Sequence, residues 1–145
     1  ELKKLAKSNR NIIFTGFQSG EALSQLFSHA LIMVHPSDNE GLPINVLEGM
    51  GHGLPILLSN IVEHRELVGN EDYLFRHSDV ESLTDQLAKL LNKNADELRK
   101  QGTLNREKVR RQYNWEKIAR KTNALYQALA EKKAAGVQMA MVEAE

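Results

Sequence analysis

The chain has 145 residues, of which 41% are hydrophobic and 26% are charged, and its formal net charge is zero. Such a composition is typical of one soluble globular domain, and the zero net charge predicts no nucleic-acid partner. The absence of cysteine excludes disulfides, thiolate metal sites and cysteine nucleophiles. The longest apolar run, Ala30 to Val34, is too short to span a bilayer, and the first residues lack the apolar stretch of a signal peptide. We therefore expect a cytoplasmic protein.

The first third of the chain alternates predicted helices and strands. Residues 1–8 are predicted to end a helix, and Ile12–Phe14 to form a short strand. Ser19 stands where the next helix is expected to begin. The run Ala30–Val34 predicts a second strand, which we expect to be buried on both faces because polar residues do not alternate with its apolar ones.

A third helix is predicted to begin near Pro43, because proline suits the first helical turn. At helical spacing, Asn45 and Glu48 fall on a polar stripe, whereas Ile44 and Leu47 fall on a different one. We therefore expect the side chain of Glu48 to point away from the core.

The rest of the chain predicts two further strands, at 55–58 and 72–75, with a short helix between them. Three longer helices follow, beginning after capping patterns at 78–81, 94–97 and Asn114. The last helix is expected to pack its aromatic residues, Trp115 and Tyr126, into the core. Residues 136–145 show no clear periodicity and are expected to fray.

This alternation of strands and helices predicts the α/β class. The expected architecture is a partial Rossmann-like domain, with a mostly parallel sheet of about four strands flanked by helices and followed by C-terminal helices.

The segment from His35 to Pro55 carries the strongest functional pattern. Glu40 precedes the predicted helix start and Glu48 lies inside that helix, with seven residues between the two carboxylates. A helix that follows a strand in this way aims its free backbone N–H groups at the crevice above the strand ends, where α/β proteins bind ligands. Because Pro43 has no N–H, the amides of Leu42, Ile44 and Asn45 are the expected donors to a diphosphate.

The sequence PSDNEGLPINVLEGMGHGLP at 36–55 resembles the signature of the group 1 glycosyltransferases, also called glycosyltransferase family 4. The resemblance extends to Asn11–Phe17, Ile61–Gly69 and Tyr113–Tyr126. It implies a GT-B fold and a retaining, metal-independent transfer of a sugar from a nucleotide-diphosphate sugar to a glycan or glycolipid acceptor. No cofactor is implied beyond this donor substrate.

The resemblance also implies roles for single residues. Glu40 would hold hydroxyls of the donor sugar near the reacting carbon, as the catalytic residue, and Glu48 would hold the ribose hydroxyls. The other implied donor-binding residues are Gly16, Phe17, Ser37, Gly41 and Glu66. Each of these five also has a purely structural interpretation, as a residue of a strand-ending turn, a turn cap, an ordinary turn glycine or an exposed helical glutamate.

The five histidines do not predict a metal site. They show neither H-x-x-x-H nor H-E-x-x-H spacing, and the chain has no Asp-x-Asp pair. His35 follows a predicted strand, where functional residues concentrate, but a buried and hydrogen-bonded histidine is the commoner outcome at such a position.

The resemblance implies that residues 1–135 form part of a C-terminal donor-binding domain. Two strand–helix units with basic diphosphate contacts, and the acceptor-binding N-terminal domain, are absent from the sequence, so we expect the isolated chain to have little or no activity. Two alternatives remain open, a non-hydrolysing nucleotide-sugar epimerase and a non-catalytic nucleotide-binding fragment.

The segment 99–121 holds nine Lys or Arg and two Glu, which is either a solvated helical face or a surface that associates with anionic lipid.

Overall fold

A computed structural model of the chain describes residues 1–7 and 9–142, with side chains as far as residue 133. In chain order its elements are α1 (Leu2–Ala6), α2 (Gly20–His29), β1 (Met33–His35), α3 (Ile44–Gly51), β2 (Ile56–Ser59), α4 (Val62–Val68), a 3-10 turn (Glu71–Tyr73), β3 (Leu74–Phe75), α5 (Val80–Leu91), α6 (Ala95–Gln112) and α7 (Trp115–Val142). None of the helices in the described ranges is both long and apolar enough to cross a membrane.

The three strands form one parallel sheet in the order β1-β2-β3. Met33 lies beside Ile56 at one end of the first pair, and Ser59 lies beside Phe75 at the end of the second. The helices α3 and α4 connect successive parallel strands, as such crossovers require. The predicted α/β class and parallel sheet are thus confirmed, with three strands among the described residues rather than about four.

The central strand β2 is buried on both faces, and all four of its residues are inaccessible. Ile56 and Leu58 pack on one face against α3 and α4, whereas Leu57 packs on the other against α5 and the start of α6. Such a strand reads as a continuous apolar run because neither face meets water.

Helix α6 closes the end of the sheet where β2 begins. The Gln101 and Asn105 amides donate to the carbonyls of Ile56 and Leu54 at 3.3 and 2.8 Å, and the Arg106 guanidinium donates to that of His52 at 2.6 Å. These side chains satisfy backbone carbonyls that would otherwise be unpaired. The opposite end of the sheet, where the strands finish, is therefore the end left for a ligand.

The predicted strand at Ile12–Phe14 is wrong. These residues lie in the loop between α1 and α2, and Ile13 is 81% exposed. A strand needs a neighbour for its backbone groups, and in the described part of the chain β1 pairs only with β2. The ring of Phe14 instead lies below the ammonium of Lys3, 5.9 Å from the ring centroid.

Two other strand predictions need correction. The strand predicted at 30–34 is Met33–His35, and it is an edge strand with Val34 exposed rather than a strand buried on both faces, because only one side of it is paired. The strand predicted at 72–75 is reduced to Leu74–Phe75, because the Asn70 side chain accepts a hydrogen bond from the Asp72 amide and fixes a turn there.

The predicted helix starts are largely confirmed. Asn94 forms the full capping box with Glu97, and Asn114 accepts from the amides of Glu116 and Lys117. The capping box predicted at 78–81 is wrong by one residue, because the cap of α5 is Asp79, whose carboxylate accepts from the Ser82 amide.

The packing predicted for the last helix is wrong. All described residues from 114 to 133 are exposed, including Trp115 at 76% and Tyr126 at 65%. No other described element packs along α7 beyond its first turns, so its apolar residues meet solvent. The tail predicted to fray at 136–145 falls partly outside the described residues, since the backbone is described only to Val142.

We expect Gly102→Ala to destabilise the fold, because a Cβ at this position of α6 would overlap the carbonyl oxygen of Gly53. Overpacking of this kind costs about 1–3 kcal/mol. Gly51→Ala in α3 is the matched control, since a Cβ there meets nothing within 4 Å. It should leave stability unchanged or raise it by up to about 1 kcal/mol, from helix propensity. Urea unfolding of both variants tests this, and equal midpoints for the two would contradict the close approach of α6.

Candidate functional site

The ends of β1 and β2 are tied together by Ser59. Its side chain is buried, and its hydroxyl accepts a hydrogen bond from the Ser37 amide at 3.0 Å and donates one to the Ser37 carbonyl. Ser37 lies in the turn that leaves β1, two residues after His35. The hydroxyl of Ser59 therefore fixes the course of the segment that leads to Glu40.

Glu40 is held by His35, the last residue of β1. The Nε2 atom of His35 lies 2.9 Å from Oε1 of Glu40, and the Asn45 side-chain amide lies 3.4 Å from Nδ1 of the same ring. With the Asn45 amide donating to Nδ1, the imidazole proton is on Nε2 and is donated to the carboxylate. This hydrogen bond, with help from the Ser37 hydroxyl, holds the pKa of Glu40 below its ordinary value. Glu40 is thus an oriented carboxylate that is ionised at neutral pH.

His64 lies beneath this pair and is completely buried. Its Nδ1 donates to the Ser59 carbonyl at 2.8 Å, and its ring centroid lies 5.4 Å from that of His35 in an edge-to-face arrangement. Burial lowers the pKa of His64, so the ring is neutral at physiological pH. Its Nε2 then carries a lone pair, for which the described residues supply no hydrogen-bond donor.

The N-terminus of α3 is available to an anion. Its cap residue is Pro43, which provides no side-chain hydrogen bond within the described residues. The Asn45 side chain accepts instead from the Val46 amide, at 2.9 Å. The first amides of α3, those of Ile44 and Asn45, therefore have no capping side chain, and such amides form anion-binding sites.

A groove of about 550 Å³ lies between α2 and α3 and is also lined by residues of α6 and α7. Leu42, Ile44 and Glu48 line it, so three of the predicted donor-binding residues face one groove. The Ser28 hydroxyl, 3.2 Å from Nδ1 of His52, joins α2 to the end of α3. Glu48 is exposed on the polar side of α3, which confirms the predicted direction of its side chain.

The other predicted residues lie around these features rather than within them. Ser37 lines a smaller pocket of about 190 Å³ with Ser59, and Gly41 lies in an exposed turn with open space around it. Phe17 is 92% exposed in the loop between α1 and α2, beside Gly16. Glu66 is exposed on α4, and its carbonyl accepts from the ammonium of Lys108. The ligand roles of all these residues, Glu40 and Glu48 included, stay predictions.

Sequence reasoning missed the contributions of Ser59 and His64 and did not link His35 to Glu40. His35, Ser59 and His64 lie five, 19 and 24 positions from Glu40, and these separations follow no spacing motif. The available signal was positional, because Ser59 ends a buried strand and His64 lies in the first turn of the helix that follows. The ends of parallel strands meet at one edge of a sheet, so polar residues there converge.

A family model described as "Glycosyl transferases group 1" matches residues 1–109, which is more than half of the chain. The chain is 35% identical over 88 residues to a serotype-specific mannosyltransferase of Escherichia coli, covering 61% of this chain and 11% of that protein. It is 32% identical over 112 residues to the MMP alpha-(1->4)-mannosyltransferase of Mycolicibacterium hassiacum, covering 75% of this chain and 27% of that protein.

A plant relative of comparable sequence identity is named for another sugar. The sulfoquinovosyl transferase SQD2 of Arabidopsis thaliana is 36% identical over 87 residues, which are 55% of this chain and 17% of that protein. The chain thus spans less than a third of the length of each of these curated relatives.

We expect Ser59→Ala to destabilise the protein by about 1–3 kcal/mol, because it leaves partly buried backbone groups of Ser37 without a partner. Ser37→Ala is the control, since it removes the hydroxyl that donates to Asn39 and assists Glu40 but leaves the backbone of residue 37 paired. Its effect should stay within about 0.5 kcal/mol. Chemical unfolding of both variants measures the difference, and the prediction is wrong if Ser59→Ala is as stable as Ser37→Ala.

Proposed function

The chain belongs to the group 1 glycosyltransferases, and we propose that it forms the donor-binding part of an enzyme that transfers a sugar from a nucleotide-diphosphate sugar to an acceptor. The observation that carries this proposal is the ionised, oriented carboxylate of Glu40 beside the uncapped N-terminus of α3. A carboxylate that accepts sugar hydroxyls and amides that receive a diphosphate are both needed for such a donor, and here they are adjacent.

The diphosphate is proposed to bind at the N-terminus of α3. The amides of Ile44 and Asn45 have no side-chain cap in the described structure, and a helix N-terminus carries about half a positive charge. The leaving diphosphate gains negative charge as the sugar departs, so donors fixed in advance at this place stabilise the transition state more than the ground state.

The nucleoside is proposed to occupy the groove between α2 and α3. Glu48 lies one helical turn after Ile44 on the wall of this groove, about 6 Å further along the helix axis. A carboxylate at that distance from the diphosphate is suited to accept hydrogen bonds from both ribose hydroxyls. The groove is otherwise largely apolar, which suits the faces of a base.

Glu40 is proposed to hold the sugar and to act electrostatically rather than as a nucleophile. Its carboxylate already accepts the hydrogen bond from His35, which fixes its position and keeps it ionised. We propose retention of the anomeric configuration without a protein nucleophile, and no metal ion is required in this scheme because the α3 amides face the diphosphate.

The sugar and acceptor are proposed only as classes. The names of the relatives specify mannose in two proteins and sulfoquinovose in a third, so we propose a hexose-type donor. A glycan or glycolipid acceptor would reach the donor from a further domain.

Arg110, Arg111 and Lys117 form an exposed basic patch next to Trp115, and this patch supports cytoplasmic placement at an anionic membrane surface.

We expect this chain to bind one of UDP, GDP and ADP in calorimetric titrations, and Glu48→Ala to weaken that binding by about tenfold or more. Hydrogen bonds to a charged group are worth about 1.5–3 kcal/mol, and 1.4 kcal/mol corresponds to tenfold. Glu107→Ala, at an exposed helical glutamate outside the groove, is the matched control and should bind like the wild type. Equal affinity of the Glu48 and Glu107 variants, or no binding by the folded wild type, would contradict the proposed nucleoside site.

We expect Glu40→Gln to separate sugar recognition from nucleotide recognition. The variant should bind the nucleotide sugar about tenfold more weakly, while its affinity for the free nucleoside diphosphate stays within about twofold, because Glu40 is proposed to contact only the sugar. GDP-mannose against GDP, and UDP-glucose against UDP, are the pairs to compare. A loss of nucleotide affinity equal to the loss of nucleotide-sugar affinity would assign Glu40 a different role.

A further inference from the structure

We propose that His35, Glu40 and His64 form a binding site for a divalent transition-metal ion, with Zn²⁺ as the best match. One possible ligand atom from each residue lies within 4.8 Å of the other two. Two imidazoles and one glutamate are a ligand set that zinc adopts in proteins, with a fourth position left to water or substrate. The inference departs from the sequence prediction, which found no metal-binding motif because the three residues meet only in the folded chain.

The state of His64 is the observation that points to a ligand. The residue is completely buried, and its Nδ1–H is used by the Ser59 carbonyl, so the lone pair is on Nε2. The described residues offer no donor to this atom. A buried acceptor without a partner is unfavourable, and a metal ion satisfies such a lone pair directly.

Groups around the two histidines can orient them as metal ligands. A metal-binding histidine usually donates its other ring N–H to a carbonyl or carboxylate, and His64 does so to Ser59. His35 has the Asn45 side chain at 3.4 Å from Nδ1. If the Asn45 amide turns its oxygen to this atom, it gives up the hydrogen bond from the Val46 amide, accepts the proton from Nδ1 and leaves Nε2 of His35 free to bind the ion.

The spacing of the three possible ligand atoms is close to that of a zinc site. Ligand atoms of a tetrahedral zinc at about 2.0–2.1 Å from the ion are about 3.3 Å from each other. The atoms of His35 and Glu40 are 2.9 Å apart, and because the three ligand atoms lie within 4.8 Å of one another, no pair has to close by more than about 1.5 Å. Glu40 and His35 keep 24% and 18% of their side-chain surfaces exposed, which gives an ion a path to the buried His64.

The chain contains a natural comparison for this cluster. His77 and Asp38 also form a histidine–carboxylate pair, with 2.8 Å between Nε2 and Oδ1, but both are exposed and no third ligand joins them among the described residues. One imidazole and one carboxylate in water bind zinc weakly. The difference between the two pairs is therefore the third, buried ligand His64.

A bound ion would also affect donor binding, in a way that rests on the proposed function. It would engage the carboxylate that we assign to the sugar hydroxyls, so zinc and the nucleotide sugar would compete. The competition fails if Glu40 does not bind sugar, whereas zinc binding itself does not depend on that assignment.

The test is a zinc titration of the complete chain without nucleotide, in competition with a chromophoric chelator. The wild type should bind one equivalent, which EDTA removes, and Co²⁺ in its place should give the intense visible absorption of a tetrahedral site. His64→Asn keeps a donor to the Ser59 carbonyl but lacks Nε2, and Glu40→Gln removes the carboxylate. Each should lose affinity by about tenfold or more, while the control His77→Asn binds like the wild type.

Three results would overturn the proposal: no zinc bound by the folded wild type, unchanged affinity in both ligand variants, or a loss in His77→Asn equal to theirs. Glu40→Gln tests the zinc site by itself if His64→Asn does not fold, because the partly exposed side chain of Glu40 can be replaced without disturbing the core. The sugar nucleotide that the wild type binds in calorimetry is then added to the zinc-loaded protein, and release of zinc by it but not by its nucleoside diphosphate supports the competition. If zinc binds as expected and no such release occurs, only the assignment of Glu40 to the sugar is contradicted.

Discussion

The burial of β2 on both faces is the constraint on which the rest of this structure depends. Its four residues are inaccessible, so helices must cover the sheet on each side. Both apolar clusters have residues of β2 at their centre. The flanking strands are shorter, with three and two residues, and the edge strand β1 remains partly exposed.

The polar groups at the two ends of β2 form their hydrogen bonds with different partners, and this difference determines where a ligand can bind. At its start, side chains of α6 donate to the backbone carbonyls of Leu54 and Ile56, so that end is covered. At its end, Ser59 uses its hydroxyl and its carbonyl to hold Ser37 and His64. The second arrangement leaves side chains rather than a helix above the strand ends, which is where parallel sheets carry their ligands.

The sequence predicted what depends on local chemistry and missed what depends on distant partners. The start of α3 near Pro43 and the capping box at Asn94 follow from the residues within one turn, and both are confirmed. The strand at Ile12–Phe14 and the packing of Trp115 were wrong because each needs a partner that the described residues do not provide. The apolar pattern of a segment indicates that it can be buried but does not indicate which element it packs against.

The predictions for the candidate site show the same contrast between local chemistry and distant partners. The exposed polar direction of Glu48 followed from helical spacing, since its neighbours on α3 determine which stripe faces the core. The link between His35, Glu40 and His64 did not follow, because strand register and the crossover of α4 bring these residues together. No pattern within the segment 35–64 contains that information, although strand ends mark the places where such convergence is expected.

The histidine–glutamate pair has a physical consequence for both proposed ligands. A free glutamate in a turn samples several rotamers, and ordering it on binding costs about 0.5–1.5 kcal/mol. The hydrogen bond from His35 imposes that order before any ligand arrives, and it holds the carboxylate ionised. A sugar hydroxyl can add to this arrangement, because the carboxylate has further lone pairs to accept its hydrogen. A metal ion must instead displace the His35 proton from between the two side chains. The same geometry therefore favours a polar, neutral ligand at Glu40 and admits a cation only when the buried lone pair of His64 contributes to holding it.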